Sequence, residues 1–150
     1  VLQNVSETSA KCACESRPDW APITDDKVLQ WAVVESGDWE ELRQCPECNR
    51  FWLQAWPEEL EGWAILCRPR PATATRLRDI DRVETIRGYC VTRLSEHLGE
   101  LKEEKTKCQK ATCERRRIRG AQLCLEHLIA HRFGRQFTHL DRNRVNSTLP

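Results

Sequence analysis

A chain of 150 residues has room for one domain or two very small ones. No apolar run in it reaches the roughly 18 residues of a membrane-spanning helix, so no helical membrane anchor is expected. The formal net charge of +1 is unevenly spread: residues 1–100 carry 12 Lys/Arg against 18 Asp/Glu (−6), and residues 101–150 carry 12 against 5 (+7). A near-neutral total argues against non-specific nucleic-acid binding as the sole role. The asymmetry fits either a charge-steered partner or two solvated faces that complement each other.

Nine cysteines are many for this length. Most fall in pairs with metal-ligand spacing, and an odd count suits a closed disulfide framework poorly. Two glycosylation sequons, Asn4-Val5-Ser6 and Asn146-Ser147-Thr148, point outward from the cell, but no secretory signal is visible. A reducing, cytoplasmic setting is expected, because thiolates must stay reduced to hold a metal.

Taken in order, residues 1–10 read as a polar lead-in to Cys12-Ala13-Cys14. Two prolines and several aspartates make 17–27 a loop. Residues 28–35, 39–44, 51–56 and 63–68 are strand candidates, rich in Val, Trp and Phe, and separated by turn residues. They predict a small antiparallel meander. Cys45-Pro46-Glu47-Cys48 forms its second turn, a tight knuckle that aims two sulfurs at one point. All six tryptophans precede residue 64. On 51–56, Trp52 and Trp56 share one face while Phe51, Leu53 and Ala55 share the other, so this strand belongs in the middle of the sheet. The tryptophans are expected in the core rather than on a base-stacking platform, since no Lys or Arg alternates with them.

A linker at 69–75 precedes helical periodicity: Leu77, Ile80, Val83 and Ile86, an interruption at Gly88, then Val91, Leu94, Leu98 and Leu101. Cys67 and Cys90 have no cysteine neighbour and are expected as buried apolar residues. Residues 102–107 (KEEKTK) read as a solvated charge run. The fold class that results is α+β, with a sheet module over 11–70 and a helical segment ending in a metal finger over 74–150, or both as one compact unit.

Two ligand sets follow from the cysteine pairs. Cys12, Cys14, Cys45 and Cys48 make C-x-C…C-x2-C. Cys108, Cys113, Cys124 and His127 make C-x4-C…C-x2-H, with His131, one turn on, as an alternative fourth ligand. Cys124 and His127 at a helix start share one face, and the helix is expected to run to about residue 133. A hairpin is expected over 114–122, with Arg119-Gly120 at its bend. Four tetrahedral S/N ligands suit a closed structural zinc site, so two Zn2+ per chain are expected.

The first set resembles a zinc ribbon. The second, C-x4-C…R-G…C-x2-H, resembles a short treble-clef-like finger of small bacterial and phage proteins, appended in some cases to endonucleases of the histidine–asparagine–histidine class. The run W-E-E-L-x-x-C-P-x-C at residues 39–48 resembles the front half of small bacterial immunity-type proteins. Those resemblances imply zinc staples in a recognition protein of inhibitor, immunity or adaptor type; no general acid/base pair, nucleophile–base pairing or phosphate loop stands out, and four-ligand sites leave no place for water, so a non-enzymatic role is expected. The expected partner is another protein, met through the acidic half. The alternative is nucleic-acid binding, with Arg115, Arg116, Arg117, Arg119, Arg132, Arg135, Arg142 and Arg144 on phosphates. No small-molecule substrate is expected. His139 with Asn143 or Asn146 could suggest a nuclease centre, but chance occurrence in a polar tail is the stronger reading.

Overall fold

The computed structural model describes residues 12–58 and 63–140. Both sequons, and Arg142, Asn143, Arg144 and Asn146, lie outside the described residues. The fold is α+β. Five antiparallel strands, β1 (Trp20–Pro22), β2 (Ala32–Ser36), β3 (Glu40–Gln44), β4 (Phe51–Ala55) and β5 (Ile65–Cys67), form a sheet in the order β1-β5-β4-β3-β2. The expected meander runs from β2 to β5, and β4 is its central strand.

Alternation on β4 divides the core. Leu53 and Ala55 join Leu42, Ile65 and Cys67 on the face that meets the two longer helices; Trp52 faces the opposite way, with Leu66, Val28, Cys14 and Cys45. The helices are α1 (Asp26–Leu29), α2 (Arg82–Leu98) and α3 (Leu125–Arg132). Ile86, Tyr89, Cys90 and Leu94 from α2, with Ile129 from α3 and the adjoining Phe133, complete the first cluster. One apolar core is therefore shared between the sheet and the helical segment. No helix among the described residues is long and apolar enough to cross a membrane.

Several local expectations are corrected. The 28–35 strand begins later, because the Asp25 carboxylate accepts the Lys27 N–H at 2.9 Å and caps the short helix α1 first. Within the expected 17–27 loop, β1 pairs with β5, Trp20 opposite Cys67. Helix α2 starts at Arg82 rather than near residue 77, where Asp81 caps the Glu84 N–H. It passes through Gly88 without a break: a Cβ there would stand 3.2 Å from Trp20 Cδ1, so the missing side chain makes room for that indole. The helix ends at Gly99, whose φ of 72° is open to glycine at little cost.

The charge run 102–107 is also a strand. β6 (Glu103–Lys107) pairs antiparallel with β7 (Arg116–Ile118) in a separate two-stranded ribbon. The expected 114–122 hairpin is thus replaced by a longer one, whose turn is the 108–113 segment. The bend expected at Arg119-Gly120 is present: Gly120 holds a φ of 79°, and the Ala121 N–H donates to the Ile118 carbonyl at 2.9 Å.

Candidate metal centres

The first centre is built where the N-terminal segment crosses the turn between β3 and β4. Cys45 closes β3, and the Asn49 N–H returns to its carbonyl at 2.9 Å, which folds 45–49 into a tight turn. Asn49 holds a positive φ of 60° there, a conformation asparagine tolerates. Cys12 and Cys14 arrive from a short 3-10 turn, Ala13–Glu15, lying on the Trp52 face of the sheet. The four sulfurs of Cys12, Cys14, Cys45 and Cys48 lie within 4.8 Å of one another.

The second centre joins the ribbon to α3. Cys108 and Cys113 flank the ribbon turn, and Cys124 is the N-cap position of α3. With ψ of 166°, Cys124 is still extended, and the helix that follows brings His127 back over it. Cys108, Cys113, Cys124 and His127 again place their ligand atoms within 4.8 Å of one another. His131 is exposed and stands outside this group, so the structure selects His127.

The spacings have a physical meaning. An ion bound tetrahedrally at about 2.3 Å from sulfur and 2.0–2.1 Å from nitrogen sets sulfurs about 3.8 Å apart, and sulfur about 3.6 Å from nitrogen. Cys12 and Cys45 are 3.7 Å apart, and Cys113 and Cys124 are 3.9 Å apart. His127 Nδ1 stands 3.5 Å from Cys108 Sγ and 3.2 Å from Cys124 Sγ. A disulfide would need about 2.05 Å, and all nine cysteines are free thiols. Two four-ligand groups are therefore present, each able to hold one metal ion.

Local electrostatics favour ligand-ready states at one thiol of each group. Burial opposes ionisation of Cys45, but hydrogen bonds from the Cys48 and Glu47 amides hold its thiol below the ordinary range. Burial likewise opposes ionisation of Cys108, and the amides of Lys110 and Cys124 bring it down. Such N–H to sulfur bonds stabilise thiolate over thiol. Burial, then the charges of Lys110, Arg115 and Arg135, lower His127, which leaves a neutral imidazole near pH 7. Metal binding requires that form. Burial pushes the Cys124 thiol up to about 11.

The expected phosphate-contacting arginines separate into two sets. Arg117 Nε donates to Glu104 across the ribbon at 2.8 Å. Arg132 Nε donates to Glu58 at 3.1 Å, with its guanidinium 5.2 Å from the Phe133 ring centroid. Those two serve the fold. Arg115, Arg116, Arg119 and Arg135 lie at or near the second centre or along the ribbon, and Arg116, Arg119 and Arg135 are exposed. His139 is structural as well: its N–H donates to Glu126 at 2.8 Å, and its Nε2 stands 3.1 Å from Glu84. Cys67 and Cys90 are fully buried in the apolar core, as expected, and burial raises both thiols, Cys90 to about 12.

Sequence reasoning missed Lys110, which lies in the ribbon turn and lines the groove beside His127. Its position between Cys108 and Cys113 was the available signal. No protein-family model, curated protein or solved structure matches the chain.

Proposed function

We propose that this chain is a non-enzymatic recognition protein in which two structural Zn2+ ions staple the surfaces that meet a macromolecular partner. Thiolate and imidazole donors suit zinc, whereas magnesium and calcium take oxygen. Cys12, Cys14, Cys45 and Cys48 would hold one ion in a ribbon-like site, and Cys108, Cys113, Cys124 and His127 the other in a treble-clef-like site. Four protein ligands each leave no coordination position for a reacting water, so the ions supply folding energy. Free thiols in both groups fit a reducing cell interior.

The partner we favour is another protein. The observation that carries this reading is β2, an edge strand of the five-stranded sheet. Its Val33 and Val34 are 44% and 43% exposed, and the adjoining Leu29 is 48% exposed. A register shift between Val33 and Glu35 bends this edge, and the valines at the bend leave apolar surface for a partner chain to cover.

The test is affinity capture with zinc-loaded protein from its native cell, followed by the same capture with Val33→Lys/Val34→Lys. The expected result is one dominant protein captured by the parent and lost with the variant, while both metals and the fold are retained. Capture of the same partner by both forms would contradict the edge-strand reading.

A further inference from the structure

The geometry points to a phosphate-binding groove beside the second metal centre, which takes the backbone of a nucleic acid. This goes beyond the protein-partner reading and concerns a different surface from β2. The groove encloses about 680 Å3 and is lined by Lys110, Cys113, Glu114, Arg115, His127 and Arg135 among others. Its cations come from three places. Lys110 belongs to the ribbon turn, Arg115 follows Cys113, and Arg135 opens the 3-10 turn Arg135–Phe137. The metal tetrad fixes the first two relative to α3, and the chain leaving α3 carries the third.

The acidic residue on the groove, Glu114, is already engaged by Lys107. The surrounding charge is strongly positive. Residues 102–119 carry eight Lys/Arg (Lys102, Lys105, Lys107, Lys110, Arg115, Arg116, Arg117, Arg119) against three Glu (103, 104, 114), a net of +5. Lys107 and Arg116 stand directly opposite each other in the ribbon register. Lys107 is balanced by Glu114, so of this facing pair Arg116 is the exposed cation on the ribbon surface.

The shape selects among anions. A two-stranded antiparallel ribbon is narrow enough to enter the major groove of duplex DNA. Five residues of strand at about 3.3 Å each span roughly 16 Å, along which duplex DNA presents about one charge every 1.7 Å. The groove at the ribbon's tip then receives flanking phosphates, which position the ribbon without reading sequence.

The experiment uses the zinc-loaded full chain and a random-sequence 30-bp DNA duplex at salt concentrations between 50 and 200 mM. The variant is Lys110→Ala/Arg115→Ala/Arg135→Ala, and the control is Arg76→Ala/Arg78→Ala, which removes two exposed cations from the segment ahead of α2. Zinc content is measured on each protein. The triple variant is expected to keep both zincs, to lose affinity by on the order of 100-fold or more at 50 mM salt, and to lower the salt slope by about 3. The control is expected to change neither. Three results would overturn the inference. The parent chain shows no duplex binding at 50 mM salt. The triple variant binds DNA like the parent, with or without loss of zinc. Polyglutamate displaces DNA at equal charge concentration, which would assign the groove to an acidic protein segment. Each of these leaves the β2 experiment unaffected.

Discussion

The two metal centres differ in what holds them besides the ion. Cys14 and Cys45 are buried in a cluster with Val28, Trp52 and Leu66, and the turn that carries Cys45 joins two strands that lie inside a five-stranded sheet. The second centre has firm ground on one side only. Its α3 half is rooted in the main core through Ile129, while β6 and β7 form a two-stranded sheet of their own. The residues of β6 are mostly exposed, and Ile118 is the buried apolar residue of β7. An isolated two-stranded ribbon is marginal in water, so an ion bound at the second centre would decide whether the ribbon exists at all. At the first centre, a bound ion would tighten a structure that the sheet already defines.

Substitutions at the two centres separate these roles. Cys113→Ser is expected to release one of two ions and to remove essentially all amide-exchange protection from 103–118, while α3 and the sheet stay protected. A protected ribbon in metal-depleted protein would break the comparison. Cys45→Ser is expected to release the other ion and to lower global stability by about 4 kcal/mol in denaturant unfolding. The amides of β3 and β4 should remain protected, and their loss would show that both centres are equally decisive.

A smaller effect lies at the joint between α2 and α3. Arg87 donates to Glu126 at 2.6 Å, and the His139 N–H donates to the same carboxylate group at 2.8 Å. Glu126→Gln is expected to cost roughly 3 kcal/mol, because it leaves a partly buried guanidinium without its counter-charge. Burial opposes ionisation of Glu126, but Arg87 and the His139 amide hold its carboxyl below the ordinary value of 4.5. A lowered folded-state pKa stabilises above the unfolded value, and that contribution is lost as pH falls through the lower one. The stability difference between parent and Glu126→Gln is therefore expected to shrink below about pH 4.5. A constant difference from pH 6 to pH 3 would contradict this.

The smallest effect is expected at Gly88→Ala. Helix propensity gains up to about 1 kcal/mol, while the new Cβ crowds Trp20, which is held edge-on against Tyr89 with ring centroids 5.2 Å apart. The net should lie within about 1 kcal/mol of zero. Trp20 fluorescence should shift, which an interrupting glycine exposed to solvent would not cause.

Much of this arrangement is legible in the sequence. Both ligand groups could be read from cysteine spacing, since a knuckle needs its sulfurs close in sequence. The central place of β4 followed from apolar residues on both of its faces. The ribbon was hidden, because Glu103 to Lys107 has no apolar alternation; pairing follows from the turn between Cys108 and Cys113 instead. The structural roles of Arg117 and Arg132 were hidden for another reason. Their partners, Glu104 and Glu58, are 13 and 74 residues away, and no local pattern marks such a pair. Gly88 looked like a helix break because the indole that needs its missing side chain belongs to β1.

The central claim is that two ions hold this chain together, and metal analysis of protein purified natively, without added metal or chelator, tests it most directly. Two equivalents of zinc per chain are predicted. A protein that folds with none would contradict the account.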